Sequence, residues 1–344
     1  MDEALLARQT LLDLRYTGSF QQGLHLSAEN PIEEVWAQVA RLGLSEWVRK
    51  LIPGAIPTIT KPWEEWGPYG VVRVRQAVEF RAASRTGSLL SRPLPLYYAM
   101  LNLTRGFLAI EKQVKSKGHG LVFSLKDSLL ESSATIQEGT FASFIRAGDA
   151  RFEIGDSLTL RDAISRIPEL ANDLGVLEPT PYNVLPVTIV AHHSGKVLID
   201  VQSRQRTGEV LAHWAAWFPR LAADWELSGE GATVFSPVPS LDTSSYQAIS
   251  ALCWRSLEVN LVSEHPIWFL IVPPNANLIL PRSAYYLAAM FILASAVRYE
   301  PELVLSLLEP DSTLGWLSGR FLSAAERYFP QLMLHWVQTL PVFF

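Results

Sequence analysis

The chain has 344 residues, 49% of them hydrophobic and 18% charged, with a formal net charge of −5. The length suits two domains or one large one, the apolar fraction excludes wholesale disorder, and the net charge excludes a uniformly basic nucleic-acid coat. A single cysteine, Cys253, excludes an intrachain disulfide framework and any multi-cysteine metal centre. The start Met1-Asp2-Glu3 is acidic where a secretory leader would be basic, so a cytoplasmic protein is expected.

In chain order, Asn30-Pro31-Ile32-Glu33 predicts a helix start, with Asn30 capping and Glu33 reaching back. Ser45-Glu46-Trp47 opens a second short helix that should stop at Pro53-Gly54. From Pro53 to Gly70 the density of proline and glycine predicts a connector, pinned by Trp63 and Trp66. Beyond it Val72 to Arg75 alternates while Ala77 to Ala83 has helical spacing, which leaves helix and strand both open. Pro93 and Pro95 precede a long helix from Leu96 to about Lys115, ended by Lys117-Gly118. Gly139, Gly148 and Gly155 cut the next stretch into short pieces, and Ser157 to Leu174 reads as helix with Gly175 as its stop.

The middle of the chain differs in character. Val187 to Ala191 and Val197 to Val201 flank His193-Ser194-Gly195-Lys196 and predict a β-hairpin. Thr207 to Phe218 is an amphipathic helix closed by Pro219. A second hairpin is expected around Gly229-Glu230-Gly231, and Ile267 to Val272 is a short buried strand. Ser283 to Tyr299, and Leu314 to Gln338 interrupted at Pro330, supply closing helices. The most apolar run, Ala284 to Val297, falls short of the roughly 20 residues a membrane span needs, so no membrane is expected.

The usual chemical signatures fail. No phosphate-binding P-loop, zinc-protease or nucleophile-elbow pattern occurs, and neighbouring His192-His193 on a strand point to opposite faces. Neither a metal nor a cofactor is expected. Charge placement is more informative: nine basic residues between Arg73 and Lys117 face only Glu79 and Glu111, a local +7 that leaves −12 for the rest. Such a segment could contact phosphates, or it could pair internally with the acidic remainder. Tyr98, Asn102, Arg105, Ala109 and Lys112 share one stripe of the long helix, and His119 follows where it could fold back. An arginine and a histidine there could hold a phosphate and move a proton. Arg298 closes an almost uncharged helix, where it either complements the helix C-terminus or joins Asn102, Arg105 and His119 in a buried polar site with Glu300 as carboxylate partner.

The run Leu96-Tyr97-Tyr98-Ala99-Met100-Leu101-Asn102-Leu103-Thr104-Arg105, continued by Gly118-His119-Gly120-Leu121, resembles the YaaC-like proteins. Supporting pieces are Gln137-Glu138-Gly139-Thr140-Phe141 and the stretch from Tyr285-Tyr286-Leu287 to Arg298-Tyr299-Glu300. The same Tyr-Tyr-Ala-Met helix is similar to HEPN domains, helical bundles of bacterial toxin and defence proteins. Many of those are metal-independent ribonucleases with an arginine and histidine separated by four to six residues, and others are inactive binding modules. Here Arg206 and His213 meet that spacing, which makes them the catalytic candidates the resemblance implies.

The expected fold is therefore α+β and predominantly α-helical: a HEPN-like bundle with a small antiparallel β-containing module. The expected division is a helical region and connector over 1–70, a HEPN-like region over 71–180, an α+β module over 181–281 and closing helices over 282–344. The expected function is binding of RNA, DNA or a nucleotide through Tyr98, Asn102, Arg105, His119, Arg298 and Glu300, within a defence or stress module. A non-catalytic scaffold with a protein partner or a second copy of itself is the alternative, since eleven tryptophans suit extensive core or interface packing. A metal-independent ribonuclease is the third reading.

Overall fold

The structure, a computed structural model, describes residues 24–25, 29–55, 60–178, 182–191, 197–203, 205–228, 233–241, 246–260, 267–307, 312–338 and 342–343. The chain forms two compact units. The larger comprises Leu26–Pro179 and Asn277–Thr339, and the smaller comprises Met1–His25, Thr180–Ala276 and Leu340–Phe344. Strand β1 (Leu24–His25) belongs to the smaller unit and pairs in parallel with the last described residues of the chain.

The larger unit begins with helices α1 (Pro31–Arg41), α2 (Ser45–Ala55), α3 (Trp63–Ser84) and α4 (Pro93–Lys112). Strands β2 (Leu121–Ser124), β3 (Ser133–Ile136) and β4 (Ser157–Thr159) form an antiparallel three-stranded sheet in that order. Helix α5 (Thr140–Ala147) lies between β3 and β4, and α6 (Leu160–Ile164) and α7 (Pro168–Leu177) follow. The expected single helix over Ser157 to Leu174 is thus three elements. Thr159 forms a capping box with Asp162, which starts α6 afresh, and Pro168 bars its predecessor Ile167 from helical geometry.

The smaller unit carries β5 (Val184–Ala191), β6 (Val197–Val201), α8 (Thr207–Trp217), α9 (Pro219–Asp224), β7 (Trp225–Leu227), β8 (Val234–Pro237), α10 (Tyr246–Ser256), β9 (Glu258–Asn260) and β10 (Ile267–Ile271). Six strands form an antiparallel sheet in the order β7-β8-β6-β5-β10-β9. Both expected hairpins are present as paired strands, Ile189 opposite Ile199 and Leu227 opposite Phe235. Their turns, with His192, His193 and Gly229 to Gly231, lie outside the described residues. Trp225, Ile199, Val210, Leu221 and Phe235 make its core. The chain then returns to the larger unit as α11 (Arg282–Tyr299), α12 (Pro301–Leu307) and α13 (Thr313–Gln338), and ends in β11 (Val342–Phe343), the partner of β1. The fold is α+β and mostly helical.

Helix α3 overturns the expected connector and crosses the expected boundary at residue 70. Its glycines serve close packing: a Cβ on Gly70 would sit 3.2 Å from the Ala109 Cβ, and one on Gly106 would sit 2.7 Å from Val74. Glycine there brings α3 and α4 together rather than turning the chain. Pro62 precedes the first turn and needs no intrahelical N–H, while Pro68 forfeits one bond. Trp66 is buried and its indole donates to the Lys61 carbonyl at 3.2 Å.

Helix α13 likewise runs through Pro330, where an interruption was expected. Proline removes the N–H that would bond the carbonyl four residues earlier, which is Glu326. That carbonyl accepts instead from the Trp36 indole at 2.9 Å. The Glu326 carboxylate accepts from Arg81 Nε at 2.8 Å and pairs with Arg92. The other face of the Arg81 guanidinium forks onto Glu33 at 2.7 and 2.8 Å. Burial disfavours the Arg81 charge, yet hydrogen bonds to Glu33 and Glu326 outweigh that cost and hold its pKa above the ordinary value. Glu33 therefore does not complete a capping box, and Asn30 makes no side-chain cap.

Both halves of this arrangement can be tested by unfolding. Glu326→Ala leaves two cations facing a vacated carboxylate site and should cost about 3–5 kcal/mol in urea denaturation. A loss below about 1 kcal/mol, the size of an ordinary substitution, would refute the network's role. Burial also pushes His335, on α13, down to about 4. The unfolded chain takes up that proton from about pH 6.5 and the folded chain does so only near 4, so stability falls as pH drops between those values. Between pH 7 and pH 5 the wild type should lose about 2 kcal/mol more than His335→Gln.

Candidate functional site

Helix α4 ends at Gln113, whose left-handed backbone (φ 53°) terminates it earlier than the expected Lys117-Gly118. The chain then turns back, and Gly118 to Gly120 is clamped from three sides. Arg105 Nη2 donates to the Gly118 carbonyl at 2.7 Å, and the Thr140 hydroxyl donates to the same oxygen at 2.7 Å. Arg105 Nε also reaches the Thr140 hydroxyl at 3.1 Å. The His119 carbonyl accepts from the Phe141 amide at 3.0 Å, at the start of α5. A Cβ on Gly139 would lie 2.7 Å from the Gly120 backbone, so the two segments meet as closely as backbones can. Gly120 (φ 79°) and Gly139 (φ 149°) both hold conformations that side-chain-bearing residues avoid.

This clamp presents the His119 ring to α4. Its Nδ1 lies 2.7 Å from the Tyr97 hydroxyl, and the two rings stack at 5.7 Å. Tyr97 is buried, which raises its pKa and keeps it a phenol that can donate. One proton is shared between the Tyr97 hydroxyl and Nδ1 in this contact, and the tautomer of the ring sets which of the two donates. Burial first, and then the Arg105 and Arg298 charges, lower the His119 pKa, so the imidazole is neutral at pH 7.

Around this pair opens a cavity of about 520 Å³, partly enclosed. Its aromatic lining is Tyr97 and Tyr98 from α4, Phe123 from β2, and Phe291 and Tyr299 from α11. Leu94, Leu121 and Leu125 add apolar wall, and His119, Ser295, Arg298 and Glu300 supply polar groups. Tyr98 is half-buried and stacks on Phe80 at 5.4 Å. Arg298 is exposed, with Nη1 3.5 Å from the Tyr98 hydroxyl. Its guanidinium carbon lies over the Tyr299 ring, 5.1 Å from that ring's centre.

Of the six expected binding residues, Tyr98, His119, Arg298 and Glu300 line this one cavity. Arg105 stands behind it, holding the segment that carries His119. Asn102 does not line it: its amide oxygen accepts from Arg73 at 3.2 Å and its nitrogen donates to the Tyr98 carbonyl at 2.8 Å, within the α3–α4 contact. Of the two readings of Arg298, the buried site with Glu300 as its carboxylate partner is not what the structure shows. Both residues are exposed, and no ion pair joins them among the described residues. The helix simply ends at Tyr299, which leaves both groups at the rim. Tyr97 was missed because its position reads as apolar core. Phe291, Ser295 and Arg298 carried a readable signal, since spacings of four and three place them on one face of α11.

Arg206 and His213 belong to the smaller unit, and neither lines the cavity. The Arg206 guanidinium bonds Glu209 and Asn183, both at 2.6 Å, and lies over the Trp217 ring that His213 also approaches. Among the described residues no cluster of His, Cys, Asp or Glu could hold a metal ion, and no helix is long and apolar enough to cross a membrane. Cys253 is buried, which pushes its thiol up to about 12 and makes it unreactive.

The molecule is thus a mostly helical α+β protein with an aromatic, arginine-rimmed cavity on its larger unit. The chain belongs to the YaaC-like protein family, whose model matches residues 69–337. No curated protein and no solved structure matches the chain.

The glycine contact makes the site testable apart from any ligand. Gly139→Ala forces a Cβ against backbone at a strained φ and should cost about 1–3 kcal/mol in denaturant unfolding. The same variant should shift the His119 titration seen by NMR toward the ordinary histidine value, as the ring leaves its buried place. Unchanged stability together with an unchanged titration would refute the clamp.

Proposed function

We propose that the cavity binds a nucleotide unit, free or within a nucleic acid, with its base on the tyrosine rings and its phosphate on Arg298. The observation that carries this reading is the exposed Arg298 guanidinium at the rim of an aromatic cavity, with Tyr98 and Tyr299 as its described partners. Aromatic faces stack bases of any sequence, and a guanidinium forks onto phosphate oxygens. A cavity of this size suits a small organic ligand. Glu300, at the same rim, supplies a carboxylate, which can accept from sugar hydroxyls. The HEPN resemblance of the helix carrying Tyr97 and Tyr98 is in keeping with a binding module, and a role in a defence or stress system follows only from that resemblance.

The test is a salt titration of a fluorescent single-stranded RNA decamer against the full chain. Affinity should fall with salt, and Arg298→Ala should remove about one phosphate's share of the slope, about 0.7. Tyr98→Ala should weaken binding by about 1–3 kcal/mol with little change in slope. Equal affinity of wild type and both variants would overturn the reading.

A further inference from the structure

The charge around the cavity is unusually sparse for a nucleotide site. Among its lining residues the formal charges are Arg298 and Glu300 alone. Arg105 adds its field from behind, felt at His119, while its nitrogens remain on Gly118 and Thr140. His119 contributes no charge at neutral pH, because its burial and those two arginines disfavour the imidazolium. The balance is two guanidinium groups against one carboxylate, a single net positive charge beside walls of Leu94, Leu121, Phe123 and Phe291.

Resting on the nucleotide reading, we infer that this cavity selects a nucleotide unit with one negative charge, a nucleoside phosphodiester, and discriminates against nucleoside triphosphates. A monoanionic diester is neutralised by the net charge present. Each further phosphate brings at least one more negative charge, and among the described lining residues Arg298 is the one guanidinium while Glu300 adds a negative charge. Glu300 is exposed, so solvent screens its repulsion, which therefore acts at short range. Polyphosphate sites usually add a cradle of backbone amides at a helix N-terminus or a bound divalent cation. Here the rim carries the C-terminus of α11 and the start of the short helix α12, whose first residue, Pro301, has no amide N–H to offer an anion. Glu300 therefore acts as the selecting group and Arg298 as the anchoring one.

Calorimetric titration of the full chain in chelator tests this with a series that shares one base and sugar: adenosine, adenosine 5′-(methyl phosphate), AMP and ATP, repeated with uridine. The methyl ester should bind about tenfold or more tighter than ATP. Glu300→Gln should narrow that ratio by about threefold or more, and Arg298→Ala should bring the methyl ester down to the affinity of adenosine. A dinucleoside monophosphate and an RNA decamer in the same assay distinguish a small diester from a chain, and tighter binding by either satisfies the inference. ATP binding as tightly as the methyl ester, or a ratio unmoved by Glu300→Gln, overturns the selectivity and leaves the nucleotide reading standing. No binding by any compound of either series or by the decamer overturns the nucleotide reading itself.

Discussion

Glu326 is the residue on which the helical unit depends. Its backbone carbonyl, freed by Pro330, takes the Trp36 indole of α1, and its carboxylate takes Arg81 of α3 and Arg92 ahead of α4. One residue of α13 thereby ties down three other parts of the unit. A buried ion pair alone is weak evidence of stability, because desolvation opposes the Coulomb gain. Here the geometry decides otherwise: Arg81 donates through its Nε and both terminal nitrogens to two carboxylates and lies over the Trp36 ring at 5.7 Å. Position matters as much as energy. Arg92 immediately precedes α4, so its anchor on Glu326 sets the start of the helix that carries Tyr97 and Tyr98.

From that anchor the cavity follows by short steps. Gly70 and Gly106 let α3 lie close against α4, which fixes how far α4 can move. Arg105 and Thr140 then grip the Gly118 carbonyl, and the Phe141 amide grips that of His119. The imidazole is consequently held by its backbone as well as by Tyr97. Such over-determination is what maintains positive φ at Gly120 and Gly139. It also explains why Arg105, on the helix face that suggested a phosphate ligand, makes its hydrogen bonds to protein oxygens instead. Its contribution to the cavity is placement and field.

The long apolar helices α4 and α11 were legible in the sequence. Residues Ala284 to Ala296 are buried throughout, as an apolar run bracketed by arginines requires, and the two hairpins followed from apolar runs flanking glycine-bearing turns. What failed was punctuation. Glycine and proline between Pro53 and Gly70 signal a turn when read locally, but Gly70 faces Ala109 and Ile110 of a neighbouring helix. Pro330 signals a break until a distant indole satisfies the orphaned carbonyl. Both answers come from residues far apart in the chain, which no local pattern contains. In the site, His119 was found because glycines flank it. Tyr97 was not, since a buried tyrosine with one polar bond has the same spacing as a core residue.

The basic excess between Arg73 and Lys117 shows the same division between what charge does in a sum and what it does in place. Arg81, Arg85 and Arg92 are paired with carboxylates from outside the segment, and Lys112 with its neighbour Glu111. Arg73 bonds the side chains of Gln76 and Asn102, and Arg75 donates to the Gly43 carbonyl at 2.7 Å. Much of the +7 therefore works as internal structure. The cation that reaches the cavity is Arg298, from a helix with hardly any other charge and far along the chain from that segment. An arginine that holds a fold together has its donors filled by protein oxygens. An arginine able to meet a ligand needs donors left facing solvent, and in this cavity that condition is met at the exposed end of α11.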